Sequence, residues 1–211
     1  MTGFVGGGNM AEALIKGMAA HGLKDIIVSE PRDERRAHLE RAYGIRTTSD
    51  NLDAVRAANI IILAVKPQIM ADVLDEIKDV VSKDKAVVSI AAGITLAYLQ
   101  GRLKSKKLIR VMPNIAATVG EGMTAISLCE CFTGPEINIV KEIFMSVGRV
   151  LMVPEKHLDA VTALSGSGPA FVALFIGHMA KTGSAMGLTE DDALSLSVQT
   201  LSGTARLLDE G

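Results

Sequence analysis

Thr2-Gly3-Phe4-Val5-Gly6-Gly7-Gly8-Asn9-Met10-Ala11 is the stretch on which the fold turns. Residues 2–5 have the apolar character of a short strand. Residues 9–21 place Met10, Ala13, Leu14, Gly17 and Met18 at helical spacing. Between them Gly6 to Ala11 fits G-x-G-x-x-A. In that pattern Gly6 permits a tight turn, Gly8 lets the backbone approach a pyrophosphate, and Ala11 lets the helix pack closely on the strand. The start of the helix adds unpaired N–H groups and a positive dipole end. The strand–turn–helix context separates a dinucleotide-binding turn from an ordinary glycine-rich loop.

The end of the second strand bears on which dinucleotide is bound. Glu30 lies 24 positions after Gly6, close to the roughly 20 expected of an acidic residue that takes the ribose 2′-OH. Read alone, Glu30 favours NADH. Arg32, Arg35 and Arg36 follow at once and offer an alternative, a grip on the 2′-phosphate of NADPH, so both cofactors stay open.

Outward from this turn, short apolar runs alternate with helical ones. Strands are predicted at 2–5, 25–29, 60–65, 86–90, 108–112, 123–128 and 149–153, with a short edge strand at 45–47. Helices are predicted at 9–21, 32–43 (closed by Gly44), 68–81 after Pro67, 95–103 and 135–147. This alternation implies a doubly wound α/β domain with parallel pairing through crossovers. After residue 153 the pattern becomes wholly helical. A helix is expected near 155–164, then a break at Ser165-Gly166-Ser167-Gly168-Pro169, then helices over 170–186 and from Thr189. Thr189-Glu190-Asp191-Asp192 resembles a capping box with Asp in place of Glu. The division is therefore 1–153, a Rossmann NAD(P)-binding domain, and 154–211, a helical domain. Residues 171–180 are apolar nearly all round, the pattern of a helix buried on every side. So short a helical segment cannot supply that burial alone, and a partner subunit is expected to.

Composition narrows the function classes. The net charge is −2, 48% of residues are hydrophobic, only 3% are aromatic, and tryptophan is absent. Neither a nucleic-acid partner nor a membrane surface is expected. The clean apolar stretch at 60–65 is far short of the roughly 20 residues of a membrane span. The N-terminus runs straight into glycines without a targeting segment. Cys129 and Cys131 are poorly spaced for a disulfide, and His21, His38, His157 and His178 are scattered, so no metal site is expected. The expected location is the cytoplasm.

Three further stretches go beyond a generic dinucleotide domain. They are Ala64-Val65-Lys66-Pro67-Gln68; Ser89-Ile90-Ala91-Ala92-Gly93 with Arg110-Val111-Met112-Pro113-Asn114; and Ala163-Leu164-Ser165-Gly166-Ser167-Gly168-Pro169-Ala170. With the opening turn, in this order and spacing, the whole chain resembles the pyrroline-5-carboxylate reductase family. The resemblance implies a Rossmann domain followed by C-terminal helices that interlock in a homodimer. It also implies reduction of 1-pyrroline-5-carboxylate to proline by NADPH or NADH, the last step of proline synthesis.

Carried over by position, the resemblance puts Gly6, Gly7, Gly8, Asn9, Met10 and Ala11 at the pyrophosphate and Asn51 near the ribose. Ala64, Val65, Lys66 and Pro67, with Ala91, Ala92 and Gly93, fall near the nicotinamide half. Met112, Pro113 and Asn114 end a strand at the same edge, where ligands of open α/β sheets sit. Glu155, Thr162, Ser165 and Ser167 fall on the substrate side, Glu155 being either a general base or a helix-start carboxylate. Lys66 reads equally as a surface lysine, and 165–169 as a plain helix break.

Two departures accompany the resemblance. Glu30 stands where many relatives carry a small or phosphate-binding residue. The family also carries, beyond a point equivalent to Gly211, a Ser-Pro-Gly-Gly-Thr-Thr-like stretch that holds the substrate carboxylate. The expectation is therefore a truncated helical domain with an incomplete substrate side. Two other readings compete: another dehydrogenase of Rossmann-plus-helices build, with His178 or Lys181 as its catalytic group, or a non-catalytic NAD(P)-binding protein.

Overall fold

The opening strand lies inside a wide sheet, third in its order of eight strands. The structure, a computed structural model, describes residues 1–129 and 134–211. Eight strands, β1 (Thr2–Val5), β2 (Ile26–Ser29), β3 (Arg46–Thr48), β4 (Ile60–Leu63), β5 (Ala86–Ser89), β6 (Leu108–Met112), β7 (Gly122–Leu128) and β8 (Gly148–Met152), form one sheet. Their order is β3-β2-β1-β4-β5-β6-β7-β8. The helices of this part are α1 (Asn9–Ala20), α2 (Asp33–Tyr43), α3 (Asn51–Ala57), α4 (Met70–Ile77), α5 (Leu96–Gln100), α6 (Gly134–Met145) and α7 (Leu158–Val161).

From β3 to β6 every pairing is parallel, as the alternation predicts. β7 departs from that expectation: it runs antiparallel to β6, and β8 is parallel to β7. Nine residues separate β6 from β7, too few for the crossover of about a dozen that a parallel partner needs. A 3-10 turn, Ile115–Val119, fills the gap instead.

The sheet is buried on both faces, as apolar parallel strands require. Along β4, Ile62 joins Phe4, Leu14, Ile15, Val88 and Phe144 on one side, while Ile61 and Leu63 join Met70, Leu74, Ile77 and Leu99 on the other. Period-2 alternation thus separates the layer holding α1 and α6 from the one holding α4 and α5. Gly44 closes α2 in the left-handed region, at φ 64°, as expected of a helix-ending glycine. The predicted helix 68–81 is shorter, a 3-10 turn at Pro67–Ile69 leading into α4.

The chain divides into two compact units, Met1–Gly166 and Ser167–Gly211. The second is a helix pair, α8 (Gly168–Ala185) and α9 (Glu190–Glu210). Thr189 caps α9, accepting the Asp192 N–H at 3.1 Å. This unit buries only Ala193 and Ser197. Phe171, Leu174 and Phe175, expected inside, are 65%, 62% and 57% exposed in the single chain. One helical run, Glu155–Ala185, has the length and composition to cross a membrane, with a hydropathy of 1.6 over its best window.

Cys129 is a free, half-buried thiol that donates to the Lys106 carbonyl at 2.8 Å. Cys131 lies outside the described residues.

Candidate functional site

Because β1 to β6 are parallel, their C-terminal ends share one edge. The opening turn lies there. Gly6 has φ 97°, and its N–H donates to the Ser29 carbonyl at 2.9 Å. A Cβ on Gly6 would lie 2.8 Å from the Ala64 carbonyl oxygen and 3.0 Å from Val65 Cγ1. The end of β4 therefore presses directly on the turn, and only glycine fits. A Cβ on Gly7 would meet Glu30 and Leu39 at 3.1 Å. Gly8 differs: its backbone is extended, and a Cβ there meets nothing within 4 Å. Gly8 is the N-cap of α1, no side chain caps that helix, and Ala11 is fully buried against the sheet. The open space over an uncapped helix start fits a diphosphate. Asn9 is exposed and Met10 half-buried beside it.

Glu30 is buried, and its carboxylate braces the turn. Oε2 accepts the Gly7 N–H at 3.1 Å, and Oε1 accepts the Arg32 N–H at 3.2 Å and Arg32 Nε at 2.7 Å. Sequence spacing points Glu30 toward a ribose hydroxyl; in the structure its partners belong to the protein. Arg35 holds the same turn from the other side, donating from Nε to the Gly7 carbonyl at 2.6 Å and pairing with Glu12. Arg36 donates to the Glu30 and Pro31 carbonyls and pairs with Asp33. Arg32 is left as the most exposed of the three, its side chain lining a small surface pocket with Glu34, Arg35 and His38.

Burial pushes the Glu30 carboxyl up, but the Arg32 and Gly7 hydrogen bonds and the Arg32 charge outweigh it and hold the pKa below its ordinary 4.5. Glu12 behaves alike: burial raises it, and His38, Arg35 and Tyr43 lower it further. A carboxyl lowered on folding contributes stability above its unfolded pKa, and that contribution is lost as pH falls through the folded one. Thermal stability is therefore expected to fall as pH drops below about 4.5, and Glu30→Gln should flatten part of that slope. Melting curves from pH 7 to pH 3 check this, and equal slopes for both proteins would contradict it.

Asn51 opens α3 at this edge. It accepts from Ser29 Oγ at 2.6 Å and donates to Glu76 at 2.7 Å. Ala64 and Val65 are half-buried past β4, whereas Lys66 and Pro67 are exposed, Pro67 opening the 3-10 turn. After β5, Ala91 is buried, its N–H on Ser89 Oγ at 3.3 Å, and Ala92 and Gly93 are exposed, Gly93 at φ 76°.

Past β6, Met112 is half-buried, and the Asn114 amide is fully committed. Its Nδ2 donates to the Ser165 carbonyl and Oγ at 3.2 and 3.3 Å, and its Oδ1 accepts the Met123 N–H at 3.1 Å. Asn114, expected near the cofactor, also braces the Ser165 turn. Thr162 and Ser165 sit in one turn of π-helix, Thr162–Gly166, a local form often found at functional sites. Thr162 donates back to the Leu158 carbonyl at 2.8 Å. Ser167 precedes α8 without capping it by its side chain.

Glu155 is partnered by the protein. Its Oε1 accepts the Leu96 N–H at 2.7 Å and faces Arg110 at 3.4 Å. Arg110 was missed as a functional residue, although a lone cation in the buried strand Leu-Ile-Arg-Val-Met was a visible signal. The alternative base His178 is bonded back to the Leu174 carbonyl at 2.8 Å. A cavity of about 540 Å³ lined by Thr2, Asp25, Ile60 and Ala86 opens at the other edge of the sheet, where the parallel strands begin.

This arrangement matches known proteins along the whole chain. Residues 1–93 match the family described as NADP oxidoreductase, coenzyme F420-dependent, and residues 155–211 match pyrroline-5-carboxylate reductase dimerisation. A pyrroline-5-carboxylate reductase of Pisum sativum is 41% identical over 208 residues, covering 97% of this chain and 76% of the relative. The solved reductase of Coxiella burnetii superposes with TM-score 0.94 at 32% identity, covering all of this chain and 80% of that one. The Plasmodium falciparum enzyme, solved with NADP bound, gives 0.89 at 30% identity, covering all of this chain and 79% of that one. With an uncapped, open glycine turn after its first strand and the dimerisation match over residues 155–211, the chain belongs to the pyrroline-5-carboxylate reductase family.

Proposed function

We propose that the chain reduces 1-pyrroline-5-carboxylate to proline with NAD(P)H, in the cytoplasm and as a homodimer. The observation that carries the reading is the gathering at one sheet edge of the open Gly8 turn, the ends of β4 and β5, and the Asn114-braced turn at Ser165. The bound dinucleotide supplies a hydride. The imine carbon takes that hydride and the ring nitrogen takes a proton, so that proline and oxidised dinucleotide result.

Little covalent work falls to the protein, and its contribution is geometry. The Gly6 to Ala11 turn holds the diphosphate. Val65 to Pro67 and Ala91 to Gly93 bound the nicotinamide half. Ser165 accepts from Asn114 through its oxygen, which leaves the hydroxyl hydrogen free to donate to substrate. Thr162 adds a second hydroxyl in the same turn. Glu155, held by Arg110 and the Leu96 amide, acts as a brace rather than a base. The exposed apolar side chains of α8 supply the dimer surface, which supports a second copy of the chain as partner rather than a bilayer. Cys129 as a free thiol fits a reducing compartment.

The protein is expected to oxidise NADPH or NADH, followed at 340 nm, only when pyrroline-5-carboxylate is present, and to yield proline. No oxidation with either dinucleotide would overturn the activity, and a stable monomer in sedimentation would overturn the dimer.

A further inference from the structure

Two charged residues are buried among the described residues, Glu30 and Arg110. The first braces the diphosphate turn. Arg110 sits in the middle of β6 with its side chain 6% exposed, reaching Glu155 at 3.4 Å and Asp159 at 3.1 Å. These carboxylates are four residues apart at the start of the helical run, the spacing that puts two side chains on one face.

The Glu155 oxygen facing Arg110 also accepts the Leu96 N–H at 2.7 Å. Leu96 opens α5, just after the turn containing Ala91, Ala92 and Gly93. One carboxylate oxygen thus joins three segments: β6, the turn at the end of β5, and the run that leads to Thr162 and Ser165. Four residues further along the chain from Arg110, Asn114 holds the other end of that run through the Ser165 carbonyl and hydroxyl. The segment 155–165 is therefore fastened at both ends to β6 and its extension.

Stability alone gives little reason for a buried cation here. A well-packed apolar side chain of similar volume often serves a core as well as a buried ion pair does. What an apolar residue cannot do is fix the register of Glu155 and Asp159 against the strand. We infer that Arg110 is a positioning residue for the reaction: through Glu155 it sets the nicotinamide-side turn and the substrate-side turn relative to each other. This rests on the reductase reading above.

Arg110→Met tests it. Asp159 is 89% exposed and Glu155 30% exposed at the side chain, so both carboxylates can regain water when the cation is removed. The expected result is a kcat at least 30-fold lower, a dinucleotide Kd within threefold of wild type, and faster amide exchange at Leu96 and across 162–166. Arg110→Lys restores one ion pair but not the two-pronged grip, and should recover about a tenth to a third of wild-type kcat. If the methionine variant does not fold, the lysine variant carries the test through its lowered kcat at unchanged dinucleotide Kd. Unchanged kcat in the folded variants would overturn the inference, as would loss of dinucleotide affinity and melting temperature in parallel with kcat. A wild-type protein without reductase activity would overturn the reductase reading instead. The exchange at Leu96 and 162–166 would still show whether Arg110 holds the two turns.

Discussion

Gly8→Asp is expected to melt at or slightly above the wild-type temperature and to bind dinucleotide at least 100-fold more weakly. The two effects have separate causes. Gly8 has extended backbone, φ −70° and ψ −177°, which any residue adopts, and a Cβ there meets nothing within 4 Å. No side chain caps α1. An aspartate at this N-cap supplies the missing acceptor and puts negative charge on the positive end of the helix, together about 0.5–1 kcal/mol of stability. The same carboxylate occupies the N–H groups and the space that a diphosphate needs, and it repels the anion. A 100-fold loss of affinity corresponds to about 2.8 kcal/mol. Gly8→Ser, which caps without a charge, should lose less affinity. Thermal melts and fluorescence titrations with NADPH and NADH provide both measurements. A large drop in melting temperature would make Gly8 a structural glycine like Gly6, and retained affinity would move the dinucleotide off this turn.

The contrast between Gly6 and Gly8 marks a limit of reading the motif from sequence. Both glycines were legible there, with distinct roles assigned from the pattern. That Gly6 is locked by the Ala64 carbonyl while Gly8 faces open space depends on β4, which enters the sheet more than fifty residues later. Elements carried by local signals were legible: the strand alternation, Gly44 ending α2, Thr189 opening α9. α3 was not read, because its few residues, Asn51–Ala57, are too short and charged to show a period. Its one clear signal is Asp50, which accepts the Leu52 N–H at 2.7 Å as an N-cap. The direction of β7 was in principle readable from the short stretch after Met112. It went unread because strand patterns carry no direction and the alternation before it was consistently parallel.

The site was legible by position but not by partner. Glu30, Asn114 and Glu155 were all singled out, each as a group that would face a ligand. The structure gives each of them first to the protein: Glu30 to Gly7 and Arg32, Asn114 to Ser165 and Met123, Glu155 to Leu96 and Arg110. Most of these contacts join residues tens of positions apart, and no periodicity or spacing encodes them. Residue type predicted that such groups need partners, but only the packed fold says which. The pairing of Glu155 with a buried guanidinium is what supports a positioning role for it over that of a base.

Gly148→Ala is expected to destabilise the first unit by about 3–5 kcal/mol, in the upper range of single substitutions, and to lower its melting temperature by roughly 10 °C. Gly148 opens β8 at φ 145° and is paired in register with Gly122. A Cβ on Gly148 would fall onto the Gly122 carbonyl oxygen and within 2.5 Å of its nitrogen. Those are backbone atoms, and they cannot rotate away as a side chain does. Gly122 is itself confined, since its own Cβ would come within 2.9 Å of Ala117 Cα and the Val147 carbonyl oxygen. Gly22→Ala separates the clash from the backbone strain. Gly22 has φ 81° with nothing within 4 Å of its Cβ, so that variant should lose only the left-handed penalty of about 1–2 kcal/mol. The larger loss should also reach the reaction. β8 runs into Val153, which bonds the Ile126 carbonyl at 3.0 Å, and then directly into Glu155 and the segment fastened to Arg110. A Gly148→Ala protein that melts with Gly22→Ala would show that β8 can shift away from β7 at little cost. In that case Glu155 would owe its placement to Arg110 and the Leu96 amide and not to β8.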